Sequence, residues 1–196
     1  MIMGKVIFGL SDVYYAKITE TETSGVTSIS YATPVHIPGA VSLSLDVQGD
    51  TNDFYADNGV YASFDSNNGF SGDLTIADIP ESVYTDLLGY YKDTTSGLLT
   101  ELAAANEVYF GLMCKVSSNF DPVGFKFYKC SLSRPAFSAN TTTESIDPDT
   151  PVLTLRVMPI DTADGISVVK SHQVLESASD ESTFFASMSL PTIASA

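Results

Sequence analysis

Alternation of apolar and polar residues with a period of two runs through most of this chain and constrains its fold more than any other feature. In VSLSLDV, Val41, Leu43, Leu45 and Val47 fall on one side and Ser42, Ser44 and Asp46 on the other. In GFSGDLTIAD, Phe70, Leu74 and Ile76 oppose Ser71, Asp73 and Thr75. VYASFD, EVYFGLMCKV, GFKFYKCSL and PVLTLRVMP are rich in β-branched and aromatic residues, and Gly, Pro, Asn and Asp clusters bound them,. The pattern predicts a mainly β, antiparallel protein with a sandwich-like or barrel-like body.

One stretch breaks the rhythm. IPESVYTDLLGYY opens with Pro80 and Glu81, spaces Val83, Leu87 and Leu88 as a helix would, and meets Gly89 where a helix would stop. One flanking helix over about 80–90 is expected. LLTELAAANE (98–107) is left open between a helical turn and a loop. After Pro159 the chain becomes small and polar, so 1–160 reads as the β domain and 161–196 as a C-terminal arm that packs through Phe184 and Phe185,.

The 196 residues can bury a core without staples,. Cys114 and Cys130 both lie in strand-like runs and read as buried thiols,. The first ten residues lack the apolar stretch and cleavage site of a secretion signal, and no segment is apolar enough for a transmembrane helix,. With 24 acidic residues against 9 basic ones, the net charge is −15, which argues against a surface that grips phosphates,. The charge is also uneven. No Lys or Arg occurs between Lys17 and Lys92, whereas Lys115, Lys126, Lys129 and Arg134 stand close together in sequence.

The chemical motifs are weak. Asp65, Asn67, Asn68 and Gly69 imitate half of an EF-hand loop, but the glycine sits one place early and Ile76 occupies the twelfth position,. A turn between strands accounts for Asn67 to Gly69 more simply. His36 and His172 are far apart and outside any nucleophile or metal motif,. Carboxylate pairs abound in so acidic a chain without marking a hydrolase, and no glycine-rich phosphate cradle is present. The ten tyrosines allow a sugar platform, but Tyr14–Tyr15 and Tyr90–Tyr91 are adjacent pairs that a strand would split between its faces,. No catalytic site, metal or cofactor is expected.

Three pieces in order carry a resemblance: KVIFGLSDVYYAKIT, the long IPGAVSLSLDVQGDTNDFYADNGVYASFDSNNGFSGDLTIADIPESVYTDLLG, and YKCSLSRPAFSANTTTESIDPDTPVLTLRVMPI. Together they resemble the major tail (tail tube) proteins of long-tailed phages with non-contractile tails, in the branch common among phages of Gram-positive hosts. DESTFFASMSLP is similar to that family's C-terminal aromatic segment, with Phe184–Phe185 where members often carry Trp–Phe. The resemblance implies a β-sandwich-like subunit, six copies to a ring, and rings stacked into a hollow tube through which viral DNA passes. It further implies a virion protein assembled in the host cytoplasm. Its partners would be other copies of itself, a tape-measure protein and the tail initiator and terminator proteins, with no membrane.

Within that frame the polar faces Ser42, Ser44, Asp46 and Ser71, Asp73, Thr75 are candidates to line the lumen. DNA carries one charge per roughly 1.7 Å, and one lysine–phosphate contact from each of six subunits would give a salt slope near −5. A bore without cations avoids that grip. An ordinary solvated outer face accounts for the same residues. Gly49 to Asn58 (GDTNDFYADN) is expected to be a loop reaching a neighbour, with Phe54 and Tyr55 as anchors among Asp50, Asn52, Asp53 and Asp57,. Lys115, Lys126, Lys129 and Arg134 are candidates for the complementary basic patch. The alternative is an extracellular β-sandwich binding module, a calcium- or carbohydrate-binding adhesin.

Overall fold

The structure is a computed structural model that describes residues 6–23, 26–56, 58–104, 106–137, 141 and 150–193. Its first hairpin is β1 (Ile7–Thr23) with β2 (Val26–Tyr31). A seventeen-residue strand cannot stay straight on a curled body, and β1 bends at two register shifts, near Gly9 (φ 72°) and Asp12 (φ 51°),. β3 (Val35–Ile37) pairs with the middle of β1, and β4 (Ala40–Val47) follows after Gly39, whose φ of 77° turns the chain,.

The main sheet adds β7 (Phe70–Ile76), β10 (Phe110–Ser118), β11 (Val123–Leu132) and β12 (Val152–Met158). Its order is β2-β1-β10-β11-β12-β7-β4, all neighbours antiparallel. Because β3 pairs with β1 while β4, the same run of chain, pairs with β7, the two ends of this order are joined and the sheet curls on itself,. The larger core fills the inside: Val13, Tyr15, Ile37, Leu74, Phe110, Leu112, Leu153 and Leu155 are all essentially sealed from solvent. β12 alternates exposed and buried residue by residue, as one-sided burial requires,. Phe110 to Cys114 are buried in succession because β10 is covered on both faces. Cys114 and Cys130 are free and buried, and burial pushes the Cys114 thiol up to about 12,.

At the end of β7 the chain passes through Ile79 into α1 (Glu81–Asp86), shorter than the expected 80–90. Pro80 is the N-cap, and Gly89 (φ 70°) stands just beyond the helix,. Ile79, Val83 and Leu87 enter the larger core. Tyr15 donates to Asp86 Oδ2 at 2.9 Å, and Lys17 reaches Asp86 Oδ1 at 3.3 Å, tying α1 to β1. β8 (Tyr91–Lys92) and β9 (Leu99–Thr100) then form a small ribbon, so the segment left open at 98–107 begins as strand.

Residues 161–193 lie against the body. β13 (Ile160–Asp161) pairs with β14 (Ser167–Val168), and β15 (Lys170–Val174) adds to the first half of β11, so this stretch supplies a strand of the main sheet. α2 (Ala178–Ala186) is a second helix where one was expected. Ser177 caps it, its Oγ accepting from Asp180 N at 3.2 Å,. Its apolar content is confined to Phe184 and Phe185, too little for the 3.6 period to show in sequence,. Phe184, Met188 and Leu175 pack with Ala16, Met113 and Tyr128 into a second core on the outer face of β1, β10 and β11. Two glycines make the room: a Cβ at Gly124 would lie 2.7 Å from the Phe184 ring, and one at Gly111 would lie 2.1 Å from Met188 Sδ. None of the described helices is long and apolar enough to cross a membrane.

Candidate assembly surfaces

GDTNDFYADN is not the loop expected from its Asp and Asn content. It supplies β5 (Thr51–Ala56), which pairs with β6 (Gly59–Asp65) in a separate two-stranded ribbon. Asn58 takes a left-handed φ of 61° at the tip, the conformation a tight hairpin turn demands,. The turn residues Asp and Asn were thus legible, but the strand pairing on either side of them outweighs their loop preference. Gln48 N bonds Gly69 O at 2.8 Å, Asn68 N bonds Gln48 O at 2.8 Å and Ser66 N bonds Asp50 O at 3.0 Å, so the ribbon prolongs the β4–β7 pair. From Gln48 to Ala56 is nine residues, an arm of about 30 Å.

The arm is apolar on one face. Phe64 opposes Asn52 and Phe54 opposes Ala62, which puts the two phenylalanines on the same side, and Tyr61 meets Phe54 edge-on at 6.3 Å. Phe54, Tyr61 and Phe64 are 57%, 73% and 65% exposed, and no described side chain between Thr51 and Asp65 joins either core. Tyr55 and Val60, paired across the ribbon, are also exposed. Asp50 lies at the arm's base, where its backbone is bonded to Ser66, and Asp53 accepts from Ser63 at 2.6 Å. Asp57 lies outside the described residues. Nothing in the sequence marks Tyr61 and Phe64, because VYASFD reads as an ordinary half-buried strand.

The six lumen candidates are brought onto one face. Ser42 pairs with Thr75, Ser44 with Asp73 and Asp46 with Ser71, and directly opposed residues point to the same side,. The face continues onto β12, where Thr154 opposes Asp73 and donates to its Oδ1 at 3.1 Å, and Arg156 opposes Ser71. This is the outer, wet face of the curled sheet. Arg156 was not anticipated: it places one cation among Asp46 and Asp73, so the face is polar with a small acidic excess. PVLTLRVMP does signal it, since alternation puts Thr154 and Arg156 opposite Leu153 and Leu155.

The four basic candidates do not form a free patch. Lys115 lies 2.6 Å from Asp12 and 2.5 Å from Glu181, its side chain only 16% exposed. Lys126 bonds Ser187 O at 3.0 Å and stands over the Phe184 ring, and burial pulls its pKa down. Lys129 pairs with Glu20 at 2.8 Å and covers Tyr109; Arg134 pairs with Glu101 at 2.6 Å. Lys115 and Lys126 fasten α2 to the sheet, while the other two fasten surface segments. Clustering in sequence reflected two adjacent strands whose cations serve separate local partners. Reversing Lys126 and Lys129 would therefore disturb contacts within the chain itself.

The Lys115 bridge makes its links to β1 and α2 sensitive to pH. The Lys115 ammonium holds the Asp12 carboxyl below its usual range, so that contribution is present above the ordinary carboxylate pKa and is lost as pH falls through the depressed value,. Burial alone would lower Lys115, but its hydrogen bonds to Asp12 and Glu181 outweigh it and raise the group, so its contribution is lost only as pH rises beyond the ordinary lysine range,. Protection factors, which divide out the intrinsic pH dependence of exchange, are expected to fall around Asp12 on acidification below about pH 4 and in α2 at strongly alkaline pH, where Lys115 loses the proton it shares with Glu181. Lys115→Met should flatten both limbs and leave exchange in β12 unchanged.

The half-loop resembling a calcium site is a turn: Asn67 Oδ1 accepts from Gly69 N at 3.1 Å, so the chain's own backbone uses that oxygen,. Among the described residues no three His, Cys, Asp or Glu side chains are grouped as a metal site would need. His36 stacks on Tyr14 and His172 on Phe125, each as part of a packed surface. Beside α1 lies an open cavity of about 490 Å3 lined by Asp78, Tyr84, Tyr90, Glu101 and Phe137. Arg134 and the Tyr90 hydroxyl hold the Glu101 carboxyl there below its ordinary pKa. A scan against protein-family models and a search of the curated proteins found no match to the chain.

Proposed function

We propose that the chain is a structural subunit that polymerises with itself, as the major tube protein of a long, non-contractile phage tail. The observation that carries this reading is the arm: a projecting ribbon with three exposed aromatic side chains on one face, which no core cluster among the described residues covers,. Singly exposed apolar residues need no explanation, but a cluster on a 30 Å projection suits insertion against another copy. The arm leaves the body at the Val47–Phe70 end of the β4–β7 pair, and α1 follows Ile76 at the opposite end. Different surfaces at opposite poles suit head-to-tail contacts, which generate rings or open stacks.

The polar face Ser42–Ser44–Asp46 with Ser71–Asp73–Thr75 fits a wall past which DNA moves. Each subunit would offer Asp46 and Asp73 against the single Arg156, and at physiological salt the screening length is about 8 Å, so absence of strong attraction matters more than repulsion. In this reading six copies form a ring, rings stack, and the tape-measure, initiator and terminator proteins set tube length.

Negative-stain microscopy and sedimentation of the purified chain across a range of concentrations test the proposal. Six-membered rings and hollow tubes are expected, promoted by a tail initiator complex. A chain that stays monomeric at high concentration and with initiator supplied overturns it. The cavity beside α1 favours a second reading, carbohydrate binding, because the paired rings of Tyr84 and Tyr90, 5.0 Å apart, adjoin two carboxylates,. Titration with cell-wall oligosaccharides separates the two: saturable binding lost in Tyr84→Ala would support the second.

A further inference from the structure

The arm carries both Asn–Gly dipeptides of the chain, Asn58–Gly59 at its tip and Asn68–Gly69 at its base. A glycine nitrogen has no neighbouring Cβ to shield it, which leaves it free to approach the side chain of the residue before it. We propose that Asn58 is a site of spontaneous backbone-assisted deamidation, and that Asn68 is protected from the same reaction. The Gly59 nitrogen attacks Asn58 Cγ, a new C–N bond closes a succinimide, and the side-chain nitrogen leaves as ammonia, taking up the proton from the glycine nitrogen. Water then opens the ring at either carbonyl, giving Asp or iso-Asp. One water is consumed and one ammonia released, with no change of oxidation state.

The two sites differ in what opposes ring closure. Closing the ring requires rotation about the Cα–C and Cα–Cβ bonds of Asn58, out of the turn conformation it holds at the tip. Only the Ala56–Gly59 pairing that ends the ribbon holds the tip: Asn58 is exposed, a Cβ built on Gly59 meets nothing within 4 Å beyond its chain neighbours, and the ribbon touches neither core,. At the base, Gly69 N donates to Asn67 Oδ1 at 3.1 Å, Asn68 N donates to Gln48 O at 2.8 Å, and Gly69 O accepts from Gln48 N at 2.8 Å. Gly69 is also packed so closely on β12 that a Cβ there would fall 2.0 Å from Val157 O. The attacking nitrogen is engaged and its backbone is held on both sides.

Conversion puts a carboxylate at the end of an arm whose sequence already carries Asp50, Asp53, Asp57 and Asp65 and no Lys or Arg. Iso-Asp also adds a backbone methylene, which breaks the Ala56–Gly59 pairing,. A weakened contact with a second copy follows only if the proposed assembly is correct; the chemical step does not depend on it.

The test is a time course of the full chain, kept dilute and monomeric in warm, mildly alkaline buffer, with peptide mapping by mass spectrometry. The peptide holding Asn58 should exchange its amide for a carboxyl at least about tenfold faster than that holding Asn68, with iso-Asp among the products. Gly59→Ala should slow conversion by a similar factor. Its φ is not left-handed and the added methyl meets nothing, so the melting temperature should not move. Equal rates at the two asparagines, faster loss at Asn68, or an unaffected rate in Gly59→Ala overturns the proposal.

Discussion

Replacing Phe54, Tyr61 and Phe64 together by serine is expected to abolish the proposed polymerisation while leaving the melting temperature of the folded chain where it was. The three rings are more than half exposed and belong to neither core, so the folded subunit loses almost no buried area. Surface substitutions of this kind stay within about 0.5 kcal/mol. In a contact they act as anchors, each contributing about 2 kcal/mol or more when desolvated. Since about 1.4 kcal/mol is tenfold in affinity, losing three raises the concentration needed for assembly at least about a hundredfold. Sedimentation velocity would report this, with thermal unfolding as the control. Unchanged tubes from the triple variant would remove the arm from the assembly surface, and a large fall in melting temperature would mean the rings stabilise the subunit itself.

A large loss of stability should come from one methyl group at Gly72. It lies in the middle of β7, where a Cβ would fall 1.9 Å from Ser44 O and 2.9 Å from Leu45 Cα. Both obstacles are backbone of β4, so no side chain can rotate away. Gly72→Ala must part β4 from β7, breaking the pairing that closes the curled sheet and supports the base of the arm. About 3 kcal/mol is expected, toward the upper end for point substitutions, or roughly 6–12 °C in melting temperature for a chain of this size. Gly59→Ala, on the same long hairpin but in open space, is the matched control and should cost a few tenths of a kcal/mol at most,. Equal melting temperatures for the two variants would show that β4 and β7 do not approach as closely as described.

Much of the body was legible beforehand because period-two alternation is a local property. The wet residues of VSLSLDV and GFSGDLTIAD could be named one by one, and β4 and β7 present those same residues on one face. Pro80 and Gly89 likewise bracket a helix, though a shorter one. The arm was half legible. Its polar signals pointed to a projection and to Phe54, but pairing with GVYASFD, which turns loop into ribbon and adds Tyr61 and Phe64, depends on which strands meet. α2 gave little sign of itself, since two phenylalanines among serines carry no period and its place depends on gaps left by Gly111 and Gly124 on other strands.

The sequence by itself therefore determined the class of fold, the polar face of β4 and β7, the buried thiols and the acidic excess, all of which follow from composition and short-range spacing. Only the tertiary structure decided that Lys115, Lys126, Lys129 and Arg134 are held within the subunit, that Arg156 joins the polar face, and that the aromatic ribbon stands clear of both cores. Spacing says which way a side chain points, whereas what it meets there depends on neighbours brought from far along the chain.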